Sequence, residues 1–396
     1  MKKTIALILS LVMCFTLLTA CGSGDSGSNN SNNSSSNSNN SSSNNSASDD
    51  TVYTLTVVNH DSSTSMCELY LETLFNAISE ESGGRLKFEY YPGGSWFGAS
   101  ETIDAVKSGS ADICWATTGT YGGVFPVSEF LNLVGNGVDS GRLGSAVINT
   151  MYKEIPECAA EFEGWHILAL HGTSNSPIST VGKKIETPND FKGLRLRVAG
   201  SIPTLYVNAL GATATALPTS DVYDNLSKHA LDGMLNDWHN IDCFRLYEPI
   251  DYCMNVSLNM TASFVLMNES SYNALPSDLQ EIIDKYFASG FAADMAGYWW
   301  DSCRYWVGDK MRDNNVEIYE PSDEVYNFMF SDEVLDQTRQ GYIDFLNSKG
   351  LDGQALYDQC MAIVERLAPD YADAWDESFN YEDWDMSAVD GYKTSY

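Results

Sequence analysis

Leu194-Arg195-Leu196-Arg197-Val198-Ala199-Gly200 and Leu231-Asp232-Gly233-Met234-Leu235-Asn236-Asp237-Trp238 are the two stretches on which an α/β reading of this chain rests. In the first, leucine and valine alternate with arginine, the period-two pattern of a half-buried strand. Thr187-Pro188 stop whatever precedes, Asn189 to Gly193 reads as a loop, and Ala199-Gly200 ends the strand. Arg197 therefore lies near the strand's carboxyl end. A helix follows, and the second stretch is a strand ending near Asn236, Asp237 and Trp238. Ligands of open α/β sheets sit outside the carboxyl ends of the strands. Arg197 is thus the candidate anion clamp of a solute-binding cleft. The plainer alternative is that both arginines are solvated, as most charges on strands are.

Working outward, Tyr53 to Val58 reads as a strand ending at Asn59-His60. Cys67, Tyr70, Leu71, Leu74, Phe75 and Ile78 then form one apolar helical stripe, stopped by Gly83-Gly84. Leu86, Phe88 and Tyr90 alternate with charged residues, a short helix runs from Glu101 to Val106, and Ala111 to Trp115 is a third strand. This βαβαβ order predicts a parallel sheet with helices on both faces. Trp165 to Leu170 reads as a strand that, on pattern alone, would join 194–198 and 231–235 in a second, similar lobe. Phe264 to Met267 returns the chain to the first sheet. Leu279 to about Met311 reads as one continuous helix long enough to brace both lobes. The residues from Asp370 read as a loosely held acidic tail.

The chain has 396 residues and a formal charge of −32, with 22 basic against 54 acidic side chains. That is enough chain for two domains. The acidity argues against nucleic acid, which needs a basic footprint, and against adhesion to an anionic membrane surface. At the start, Lys2-Lys3 and the apolar run Ile5 to Leu18 read as a signal peptide over 1–20. Leu18-Thr19-Ala20-Cys21 resembles a lipobox, so Cys21 is expected to carry lipid. Residues 21–50, nearly all Ser, Asn and Gly after that cysteine, read as a flexible tether reaching roughly 30 Å. Anchoring at the outer face of the cytoplasmic membrane, on a Gram-positive-like surface, is the expected localisation. Of nine cysteines, seven lie beyond Cys21, none with metal-ligand spacing. They are expected to act as small buried hydrophobes, with one disulfide at most.

No HExxH, GxSxG, P-loop or calcium-loop pattern occurs, and the five histidines are scattered. No catalytic residue, metal or cofactor is expected.

Several motifs in register carry a resemblance. Gly84-Arg85-Leu86-Lys87-Phe88-Glu89-Tyr90-Tyr91-Pro92-Gly93-Gly94 is followed by Glu101-Thr102-Ile103-Asp104-Ala105-Val106-Lys107-Ser108-Gly109. Further on come Thr187 to Val198, Pro218-Thr219-Ser220-Asp221-Val222-Tyr223 and Leu231-Asp232-Gly233. In order and spacing these resemble the extracytoplasmic solute-binding proteins of tripartite ATP-independent periplasmic (TRAP) transporters, the DctP-like family, from about residue 53 to residue 290. The resemblance implies an α/β, two-lobed periplasmic-binding-protein-like fold of type II character, with a long helix bracing both lobes. It places lobe I at 51–172 plus about 263–302, lobe II at 173–262 plus about 303–370, and a tail at 371–396.

The resemblance also implies a receptor, not an enzyme, that closes around an organic acid and delivers it to small and large integral membrane subunits. The family's carboxylate-pairing arginine falls on Arg197, and its pocket asparagine on Asn236. The residues around Asn236 depart from the usual Gln-Glu-Asn-Pro, and Asp221 replaces a glutamate. His60 matches a polar pocket position. Trp115, Thr117, Thr118, Thr219 and Trp238 are further ligand-binding candidates by placement. His171 to Ser176 offers no second arginine, which favours a monocarboxylate with an apolar or aromatic body. A sensor for a signalling partner and a surface-anchored hydrolase are the alternatives.

Overall fold

The computed structural model describes residues 50–372, 380–394 and 396. The signal peptide, Cys21 and the tether up to residue 49 lie outside the described residues.

Eleven described strands form two mixed sheets: β1 (Tyr53–Val58), β2 (Leu86–Tyr91), β3 (Ile113–Thr117), β4 (His166–Gly172), β5 (Ile178–Thr180), β6 (Arg195–Val198), β7 (Thr213–Ala216), β8 (Gly233–Leu235), β9 (Tyr252–Met254), β10 (Ala262–Met267) and β11 (Glu317–Tyr319). The first sheet runs β2-β1-β3-β10-β4 and the second β11-β9-β5-β8-β6-β7. β2 and β3 flank β1 in parallel, while β10 is antiparallel to both β3 and β4. β4 therefore belongs to the first sheet, not with 194–198 and 231–235 as its pattern alone suggests. The alternation that marks a strand carries no information about which sheet pairs with it.

The stripe on the helix Met66–Glu81 packs as expected, with Cys67, Tyr70, Leu71, Leu74, Phe75 and Ile78 buried. Ser65 caps it by accepting a hydrogen bond from the Glu68 N–H at 3.1 Å. The expected continuous helix from 279 is two, Ser277–Phe287 and Phe291–Asp313. Gly290 breaks it with φ of +83°, a left-handed conformation that glycine adopts without cost. The second of these helices is buried along Phe291, Met295, Trp300, Val307 and Met311, in one apolar cluster with Val57 and Trp115 of the first sheet and Met234 and Cys253 of the second.

Two other clusters cover the outer faces. The helices Asp332–Ser348 and Gly353–Leu367 place Tyr342, Leu346, Cys360 and Val364 in the cluster of Phe130 and Phe264, on the first sheet. The sequence reading groups these helices with the second lobe. Of the last residues, those described from 380 to 394 are packed rather than loosely held. Trp384 lies against Phe291 and Tyr298, with ring centroids 5.4 and 5.2 Å apart, Val389 is buried, and the Tyr392 hydroxyl donates to Asp294 at 2.8 Å. Glu382, Asp383 and Asp385 face water while the rings of Tyr381, Trp384 and Tyr392 cover the long helix. All seven described cysteines are free and six of them are buried, so no disulfide forms among the described residues.

Candidate functional site

On β6 the two arginines part company. Arg195 sits at the solvent end and forks onto Asp232, at 2.9 and 2.8 Å. Arg197, two residues on, is 2% exposed. Its Nε donates to the Leu217 carbonyl (3.1 Å), one terminal nitrogen to Asn236 Oδ1 (2.7 Å) and the other to Thr219 Oγ1 (2.8 Å). Asn236 comes from the end of β8, beside β6, and Thr219 from the turn after β7. Three of the guanidinium's five N–H groups are thus used. One on each terminal nitrogen has no partner among the described residues, and no ion pair neutralises the group there. That pair of N–H groups is the fork that fits a carboxylate. Burial pulls the guanidinium pKa down to about 10, with the field of Asp237 opposing the shift. The Asn236 amide nitrogen is buried and also lacks a partner.

A polar run leads from this fork toward the first sheet. Asp237 caps the helix Trp238–Cys243 by accepting from the Asn240 N–H, and its carboxylate lies 4.0 Å from His239 Nδ1. His239 Nε2 is 3.5 Å from the carboxylate of Asp61, just beyond β1. Asp61 also lies 3.7 Å from His60, whose ring faces Trp115 at 5.6 Å. Trp115 Nε1 donates to His171 Nε2 at 2.9 Å, and His171 Nδ1 faces the Gly172 carbonyl, which fixes a neutral imidazole. Trp300 of the long helix stacks against Trp115 and lies 5.3 Å from His239. Burial lowers His60 and His171 to about 4 and His239 to about 3, so all three are neutral at pH 7. Burial, reinforced by Asp237 and Glu68, raises Asp61 to about 8.

The eight residues singled out in the sequence thus fall into groups. Asn236 and Thr219 each accept a hydrogen bond from Arg197. His60 and Trp115 meet on the first-sheet side. Thr117 pairs with Thr120 at 3.1 Å, and buried Thr118 has an unpartnered hydroxyl. This loop crosses to the second sheet, where Gly119 and Gly200 meet so closely that a Cβ on Gly200 would lie 3.2 Å from the Gly119 oxygen. Trp238 points into the apolar cluster and packs there. Sequence reasoning did not single out Asp61, His239 or Trp300. The nearest readable signal is the spacing of His239 and Cys243, one helical turn apart. A surface hollow of about 300 Å³, lined by Thr64, Ser65, Met66, Leu69, Asp242 and Trp306 among others, does not include Arg197.

Residues 58–331 match the DctP family, described as bacterial extracellular solute-binding protein, family 7. The chain belongs to this family. Among curated relatives, it is 26% identical over 221 residues to the sialic acid-binding periplasmic protein SiaP of Vibrio cholerae. That match covers 54% of this chain and 66% of SiaP, so the chain spans just under two thirds of that relative's length. Two crystal structures of TRAP solute-binding proteins share its fold. A marine metagenome protein specific for aromatic acid ligands, in complex with 3-hydroxybenzoate, superposes with a TM-score of 0.74 at 23% identity, covering 80% of this chain and 99% of its own. A protein from Rhodoferax ferrireducens with copurified benzoate gives 0.72 at 24%, covering 81% and 99%. The two-lobed, periplasmic-binding-protein-like architecture of this family-7 chain is thereby established. All eight candidate residues fall within its matched span.

Proposed function

We propose that the chain is an extracytoplasmic receptor that binds an organic acid through Arg197 and delivers it to the membrane subunits of a TRAP transporter. The observation that carries this reading is the buried guanidinium without an ion pair. An uncompensated buried charge is costly, and an anionic guest removes that cost. A carboxylate accepts the two free N–H groups in parallel, while the Asn236 amide nitrogen and the Thr118 hydroxyl supply further hydrogen bonds. His60 and Trp115 line the first-sheet side of the same cleft. No second cation joins Arg197 in this set, and Trp115 and Trp300 bring ring surface, so the ligand is a monocarboxylate with an aromatic or apolar body. The receptor has no catalytic role. Cys21 carries the lipid that holds it to the outer face of the cytoplasmic membrane, with the 21–50 stretch as tether.

A thermal-shift screen of aromatic, aliphatic and dicarboxylic acids tests the ligand class. Calorimetry on Arg197→Lys tests the fork: binding is expected to weaken severely, since an ammonium cannot donate two parallel bonds. Wild-type affinity in Arg197→Lys would overturn it.

A further inference from the structure

We propose that Asp61, His239 and Cys243 form a divalent transition-metal site, suited to Zn²⁺, that clasps the two lobes together. One carboxylate oxygen, one imidazole nitrogen and the thiol sulfur all lie within 4.8 Å of one another. His239 and Cys243 project from the same face of one helix, a turn apart, and Asp61 faces them from the loop after β1. With Zn–O and Zn–N near 2.0–2.1 Å and Zn–S near 2.3 Å, the edges of a tetrahedron are about 3.4–3.6 Å. The Asp61–His239 separation of 3.5 Å is already such an edge.

A second observation points to a ligand. Asp61 is fully buried, yet neither of its oxygens has a nitrogen or oxygen hydrogen-bond partner, and neither do the two ring nitrogens of buried His239. Leaving a buried polar atom unmatched costs about 1–3 kcal/mol. Of these four atoms, Asp61 Oδ2 and His239 Nε2 face each other at 3.5 Å, and a cation shared by the carboxylate and the imidazole accounts for both. The surroundings match a metal site in its outer layer. The Ser62 N–H points at Cys243 Sγ at 3.5 Å, as a donor to a thiolate does, and the Asp237 carboxylate stands behind His239 Nδ1. Cys243 is the one partly exposed cysteine among those described, which gives an ion a way in. Mixed N, O and S donors select Zn²⁺ over Mg²⁺ or Ca²⁺. Binding expels the thiol proton.

The test is titration of the untagged, chelator-treated full chain with ZnCl₂ by calorimetry, and with CoCl₂ by absorption. One equivalent of Zn²⁺ is expected to bind. Co²⁺ is expected to give a sulfur-to-cobalt charge-transfer band, lost in Cys243→Ser and weakened in Asp61→Asn. Circular dichroism checks that both variants fold. X-ray absorption of the wild-type zinc protein, showing one sulfur with nitrogen and oxygen neighbours, reads the same site without any variant. Absence of stoichiometric binding, or a band that persists in Cys243→Ser, overturns the proposal. Organic-acid binding at Arg197 is measured separately in metal-free protein, so failure of either reading leaves the other intact.

Discussion

Replacing Arg197 by methionine should abolish ligand binding while costing the ligand-free protein little stability. Burial moves the guanidinium pKa from 12.5 to about 10. At 1.36 kcal/mol per pKa unit, the charged form is disfavoured by about 3 kcal/mol. A depressed pKa on a basic group means that this cost is present in full at every pH below about 10. Methionine removes it but leaves the Asn236 oxygen buried without its donor, at about 1–3 kcal/mol. Thr219 and the Leu217 carbonyl are half-buried and can turn to water. The two effects nearly cancel, so urea unfolding without ligand should differ from wild type by no more than about 2 kcal/mol. Breaking a genuine buried ion pair would instead cost about 3–5 kcal/mol. At a ligand concentration of 100 Kd the wild type should gain about 2.7 kcal/mol and the variant nothing. A ligand-free loss above 3 kcal/mol would make Arg197 a structural residue, and a retained ligand-dependent gain would remove it from the site.

Three further outcomes are expected. Glu129 is fully buried and raised to about 7, chiefly by burial, so it contributes stability that is complete below the unfolded value near 4.5 and lost as pH rises to 7. Relative to Glu129→Gln, the wild type should therefore gain up to about 3 kcal/mol between pH 7 and 4.5, and a flat difference in urea midpoints would refute this. Gly200→Ala forces a left-handed residue onto the Gly119 backbone and should cost about 1–2 kcal/mol and lower ligand affinity by calorimetry. Gly182→Ala, with a similar φ but open space around it, should cost stability alone. Trp384→Ala should destabilise by about 2 kcal/mol in chemical denaturation, half the usual cost for a fully buried tryptophan, because its ring is half-buried against the long helix.

What could be read from the letters alone is what depends on local pattern. The helix stripe at 67–78 survives because each side chain's burial follows from its immediate neighbours. The strand around Arg197 forms as read, but its burial does not alternate: only Arg195 is exposed, and Leu196, Arg197 and Val198 are all buried. The meeting of Arg197 with Asn236 and Thr219 was legible only through the end-of-strand rule and the family's motifs. Sheet membership of β4 was not, because it depends on β10, which arrives much later in the chain and slots beside it. The described part of the tail was misread because its charge masks Tyr381, Trp384 and Tyr392, rings that find a surface only once the long helix exists. Asp61 and His239 stayed hidden because single acids and histidines look the same in a loop, on a surface or in a crevice.

The position of β10 also bears on how the protein is made. Val265 pairs with Trp115 and Ala169, so the first sheet has a gap at its centre until the polypeptide has emerged past residue 267. Contacts between distant parts of a sequence form slowly. A nascent chain with such a late keystone cannot close its first sheet until residue 267 has been made, so the native pairing of β3 and β4 through β10 waits for a late stage of synthesis.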